Sequence, residues 1–80
     1  MKTATTQERV ITLISGMLKV PPYKINPYTS LRDDLHLDAV DLLLLIAALE
    51  NNFKVYLTAE EADAIDTIED ASTFMQRKAA

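Results

Sequence analysis

Three carboxylates and the chain's only histidine fall within one short run, Asp33-Asp34-Leu35-His36-Leu37-Asp38, the place where residue types and spacing invite a metal-binding or acid/base reading. The spacing does not match an EF-hand loop, and one imidazole among exposed acids makes a weak divalent-ion site at best. The run therefore reads as surface acids leading into a helix cap, with no metal site expected. Ser/His/Asp catalysis needs a serine held beside an imidazole, and Ser15, Ser30 and Ser72 fall in a helix stripe, a loop and a terminal helix with no visible pairing. The absence of cysteine excludes a thiolate nucleophile, a disulfide framework and a Cys-ligated zinc. A single glycine excludes a Gly-rich phosphate loop. No enzymatic activity is expected.

The chain has 80 residues, 49% of them hydrophobic and 25% charged, enough apolar material for one small domain spanning residues 1–80. A fold of this size removes roughly 60–65% of the unfolded chain's surface, so stability is modest and a large enclosed active site has no room. The longest apolar run, Leu42 to Leu49, is too short to span a bilayer, and no charged-then-apolar leader opens the chain. The expectation is a soluble, cytoplasmic protein, monomeric when alone, with no membrane partner. The net charge of −4 is unevenly spread. Residues 1–32 carry five basic groups against Glu8, residues 33–70 carry eleven acidic groups against Lys54 alone, and Arg77 and Lys78 follow. That acidic middle repels nucleic acid and attracts a basic protein surface.

The elements that must position these groups read as helices. Thr5-Thr6-Gln7-Glu8 fits a capping box, after which Val10, Ile11, Leu13, Ile14, Met17 and Leu18 recur at helical spacing until Pro21-Pro22. From Val20 to Asp38 the turn-forming Pro21, Pro22, Asn26, Pro27, Thr29 and Ser30 predict a long connection. Its Tyr23, Ile25, Tyr28, Leu31, Leu35 and Leu37 predict a loop packed onto the core. Asp38 is a good N-cap for a second helix reaching about Asn51, with Asp41 reinforcing the positive end of its dipole. On a helical wheel Leu42, Leu45, Ile46, Leu49 and Phe53 share one arc, and Val40, Leu44, Ala47 and Asn51 the opposite one. The second arc predicts an apolar patch facing outward. Val55-Tyr56-Leu57 reads as an extended connector, and Thr58-Ala59-Glu60-Glu61 as a capping box opening a short helix to about Ala64. Thr67, with Asp70, starts a last helix facing Ile68, Ala71, Phe74 and Met75 inward, with Arg77 and Lys78 at its negative end. The fold class is all-α, a bundle of three longer helices and one short one, with a long loop between helices 1 and 2.

From Glu8 to Met75 the chain resembles the acyl carrier proteins. The resemblance rests on the run Leu31-Arg32-Asp33-Asp34-Leu35-His36-Leu37-Asp38-Ala39-Val40-Asp41, then Ala48-Leu49-Glu50-Asn51-Asn52-Phe53, then Glu60-Glu61-Ala62-Asp63 and Thr67-Ile68-Glu69-Asp70. It is diffuse at each position and specific as a set. It implies an acyl-carrier-like bundle that carries acyl or polyketide chains as thioesters on 4'-phosphopantetheine. That arm is joined by a phosphodiester to the serine of an Asp-Ser-Leu motif at the start of the second helix, where helix amides and dipole favour a phosphate. The matching residue here is Ala39, which has no hydroxyl, so no arm can be attached there. Two explanations stand: a Ser→Ala change made to hold the carrier unmodified, or a natural protein that has lost carrier activity and binds a partner through helix 2. The surroundings, with Asp38 at the cap, Val40 for the motif leucine and Asp41 following, favour the first.

The resemblance also implies partners: a ketosynthase, other synthase enzymes and, for the serine form, a phosphopantetheinyl transferase. Family members place acids along the second helix to meet Arg and Lys on these enzymes. Here the glutamate expected two turns in falls at Leu44, and Asn51 stands where another acid is common. Docking is expected to use Val40, Leu44 and Ala47, with charge from Asp33, Asp34, Asp38 and Asp41 at one end and Glu50 further along. This suits a dedicated type II polyketide or related synthase better than housekeeping fatty acid synthesis.

Overall fold

A computed structural model describes residues 4–79. Four α-helices form among them: α1 (Thr6–Leu18), α2 (Ala39–Phe53), α3 (Ala59–Asp63) and α4 (Ile68–Ala79). Each start follows from local chemistry. Thr5, Asp38 and Thr58 are N-caps whose side chains accept from the backbone amides of Glu8, Asp41 and Glu61, and in each case the second side chain returns a bond to the cap amide. Asp41 is thus the reciprocal half of a full box, beyond its expected dipole role.

The ends of α1 and α2 are set by lysines in the left-handed region, Lys19 at φ 55° and Lys54 at φ 57°. The Lys54 amide donates to the Glu50 carbonyl, which carries α2 past the expected stop at Asn51 to Phe53. α1 ends before the two prolines, and Pro22–Lys24 forms a single 3₁₀ turn within the connection.

One hydrophobic cluster unites the helices: Val10 and Ile14 from α1, Leu45, Leu49 and Phe53 from α2, and Ile68, Ala71 and Met75 from α4. Ile25, Leu31 and Leu37 of the long loop join it, as do Val55 and Ile65. Phe74 packs against the cluster half-buried. Tyr23 and Tyr28 depart from the expectation for the loop, being 83% and 78% exposed. Tyr23 sits in the 3₁₀ turn, and Tyr28 in a turn that Asn26 closes by accepting the Tyr28 amide through its side chain (2.8 Å), so both rings point away from the core. Met17 is also 40% exposed, at the edge of the α1 stripe.

The loop is held by the junction between α3 and α4. Ser30 and Thr67 form an antiparallel bridge, the Leu31 amide donates to the Asp66 carbonyl (2.7 Å), and the Ile68 amide donates to the Thr29 carbonyl (3.2 Å). The buried Ser30 donates through its hydroxyl to Asp66 Oδ1 (2.9 Å), and its amide donates to Asp34 Oδ2 (2.7 Å). Asp70 caps the same junction, its Oδ2 accepting from the amides of Asp66 and Thr67 at 3.0 Å each. The Thr67 amide is the main cause that holds its carboxyl below the ordinary aspartate range, against the opposing effect of burial. A depressed folded pKa stabilises above the unfolded value and is lost as pH falls through the folded one. Asp70→Ala is therefore expected to cost about 1 kcal/mol at neutral pH in urea unfolding, with the difference between parent and variant shrinking as pH falls through the parent's depressed folded pKa.

Candidate functional site

The start of α2 is a polar surface organised by the Asp38–Asp41 capping box. Leu37 is anchored in the core and its amide donates to the Leu31 carbonyl (3.1 Å), so the pinned loop delivers Asp38 to the helix end in a fixed position. Asp38 adopts an extended backbone; its Oδ1 accepts from the Asp41 amide at 2.8 Å, and Asp41 Oδ2 accepts from the Asp38 amide at 3.4 Å. His36, two residues before it, has φ 56°, a left-handed conformation that residues other than glycine adopt at a cost. Ala39 is the first residue of the helix and is exposed, presenting a methyl group where a serine would present a hydroxyl.

Beside Ala39 opens a cavity of about 240 Å³ between α2 and α3, lined by Arg32, Leu42, Leu43, Ile46, Ala62, Asp63 and Ile65. Its walls are mainly aliphatic, suiting it to an apolar group, with Arg32 and Asp63 as its charged members. The Arg32 guanidinium lies 3.9 Å from Asp66, which ties the cavity to the clamped junction. Next to Ala62, Glu61 of α3 accepts the Lys78 ammonium of α4 at 2.8 Å. That bond, first, and the Thr58 amide, second, hold the Glu61 carboxyl below its ordinary range. α3 is a single helical turn, and this pair ties it to α4.

The outward arc of α2 is as the wheel predicts: Val40 is 66% exposed, Leu44 58%, and Ala47 and Asn51 are also exposed. Leu43, which neither arc of the wheel claimed, is 72% exposed and turns from this stripe toward the cavity. The run of four leucines from 42 to 45 was the signal for it, since consecutive helical residues cannot all face one core.

The acids expected at the docking end are partly engaged within the chain. Asp34 accepts the Ser30 amide, and Asp38 and Asp41 cap each other. Glu50 is half-buried and its Oε2 accepts the Leu57 amide (2.7 Å), which makes it a brace for the connector between α2 and α3. Asp33 is exposed at the loop end. Ser15, Ser30 and Ser72 donate through their hydroxyls to Val20 O, Asp66 Oδ1 and Ile68 O respectively, so these hydroxyls serve the fold. Among the described residues no group of three or more His, Cys, Asp or Glu side chains is arranged to hold a metal ion, and no helix is long and apolar enough to cross a membrane.

Comparison with known proteins agrees with this architecture. The family described as phosphopantetheine attachment site matches residues 8–75. An acyl carrier protein of Thermosynechococcus vestitus is 37% identical over 73 residues, covering 91% of this chain and 90% of the relative. One of Solidesulfovibrio magneticus is 37% identical over 71 residues, covering 89% and 91%. One of Chlorobium phaeobacteroides is 33% identical over 78 residues, covering 98% of this chain and all of the relative. With the helix order, the long pinned loop and the capped start of α2 in place, the chain belongs to the acyl carrier protein family, whose prosthetic group is 4'-phosphopantetheine.

Proposed function

We propose that this chain is a discrete, non-catalytic acyl carrier protein of a type II synthase, held in its unmodified form because Ala39 stands where the family attaches its arm. The observation that carries the reading is the position of Ala39: exposed, first in α2, behind an intact Asp38–Asp41 capping box and beside an apolar cavity. The arm does not fit this chain as it stands, because a phosphodiester needs an oxygen at position 39 and a methyl group supplies none. The intact Asp38–Asp41 capping box around position 39 supports a Ser→Ala replacement over gradual loss of the site. Reading codon 39 in the source gene separates the two histories. Incubation of the chain and of Ala39→Ser with coenzyme A and a phosphopantetheinyl transferase, read by intact mass, tests the carrier assignment itself.

The partners are a ketosynthase and other enzymes of the same synthase, met through Val40, Leu44 and Ala47. Their exposure, with Leu44 where the family resemblance leads one to expect an acid, supports a dedicated polyketide or related synthase over a fatty acid synthase whose carrier serves many enzymes. Burial of an exposed leucine against a partner is worth up to about 2 kcal/mol. Leu44→Glu is expected to weaken binding to the cognate ketosynthase by about tenfold or more, with the melting temperature unchanged. A melting temperature lowered by several degrees, with affinity intact, would instead make Leu44 a core residue.

A further inference from the structure

The surface of α2 continues beyond the apolar stripe. Ala47, where the stripe ends, also lines a recess with Glu50, Asn51, Lys54, Val55 and Tyr56. Lys54 is the one cation between residues 33 and 70, is exposed, and is held in a left-handed conformation that ends the helix beside this recess. Glu50 gives a carboxylate oxygen to the Leu57 amide, and Tyr56 is 87% exposed. From the N-terminal to the C-terminal end the face therefore runs acidic (Asp38, Asp41), apolar (Val40, Leu44, Ala47), amide (Asn51) and basic (Lys54), over about 20 Å of helix.

A second copy of this chain does not complement that order. Antiparallel, it sets the acids against Lys54 but lays Leu44 on the polar half of its neighbour. Parallel, it matches the leucines but sets the acidic ends together. We propose that the occupant is a synthase enzyme surface with the complementary order: a basic group at the Asp38 end, an apolar ridge beside it, and a carboxylate at the far end that pairs with Lys54 against the Tyr56 ring. The recess at Lys54 is then a second anchoring point that decides which enzyme is accepted, as the unlike charge at that end repels a surface that is basic throughout. The proposal rests on the carrier reading only for the occupant being a synthase enzyme.

Two synthetic helical peptides of one composition test it. Each has a leucine-rich half and an asparagine-rich half; the first carries an arginine pair beside the leucines and a glutamate pair at the far end, and the second has the pairs exchanged. Reversal of a bound helix cannot convert one into the other. By fluorescence anisotropy at low salt, the first is expected to bind the full chain more tightly. Lys54→Glu is expected to weaken the first by about threefold and strengthen the second by about as much, and Leu44→Glu to remove binding of both. Equal affinity for the two peptides, no binding of the first, or a Lys54→Glu variant in which both shift together or neither shifts overturns the proposal. A failure of Ala39→Ser to take the arm would count against the carrier reading and leave the peptide result standing.

Discussion

Leu31→Ala is expected to lower the unfolding free energy by about 3 kcal/mol, a large part of the stability of a domain this small. Leu31 lies in the long loop, yet its side chain is fully buried with Ile14, Leu45, Leu49 and Met75. Its backbone is fixed on both sides, by the bond from its amide to Asp66 and by its carbonyl accepting the Leu37 amide. With the chain held at these points, the site has little freedom to collapse around a smaller side chain, and the cavity cost adds to the lost transfer energy. Tyr28→Ala, three residues earlier and exposed, is expected to change stability by less than about 0.5 kcal/mol. Urea unfolding of the two variants at neutral pH measures both. A loss below 1 kcal/mol for Leu31→Ala would mean that the loop is a tether and does not belong to the core.

The same residue governs the site. Leu31 and Leu37 are the two buried points between which Arg32, Asp33 and Asp34 are displayed, and Leu37 directly precedes Asp38. Loosening them would remove the anchors that hold the start of α2 beside the cavity.

Much of this was legible in the residues because the signals were local. Thr5 with Glu8, and Thr58 with Glu61, are three apart, and a capping box needs nothing else. The two arcs of α2 follow from the 3.6-residue period, which separates Leu45 and Leu49 from Val40 and Leu44 without reference to any other element. The unread features are those that join distant segments. The bridge between Ser30 and Thr67, and the bond from the Ser30 hydroxyl to Asp66, depend on how α4 packs against α1 and the loop, and no spacing within the chain encodes them. The exposure of Tyr23 and Tyr28 has no local signal for a related reason: a loop has no periodicity to tell which of its apolar side chains face inward. The cavity has no sequence signal because its walls come from the loop, α2, α3 and Ile65 of the junction before α4 together. The bond from the Leu57 amide to the Glu50 carboxylate also depends on the path of the connector, which no spacing on α2 encodes.

The second large effect is expected at position 39, where one oxygen atom separates a chain that cannot be loaded from one that can. Serine at the first position of a helix is well tolerated, and Ala39 is exposed, so Ala39→Ser should leave the fold and melting temperature unchanged. The hydroxyl would stand beside the free amides of the first turn and the positive end of the helix dipole, which favour the phosphate that the transferase brings. The capping box would keep that turn wound, since it involves Asp38 and Asp41 and not residue 39. The effect is all-or-none.

Intact mass spectrometry of the two chains, each incubated with coenzyme A and a broad-range phosphopantetheinyl transferase, is the measurement on which the account depends. The predicted result is one phosphopantetheine arm on every Ala39→Ser chain and none on the Ala39 chain. A folded Ala39→Ser variant that stays unmodified with several transferases, or an Ala39 chain that takes up the arm at another residue, would contradict it.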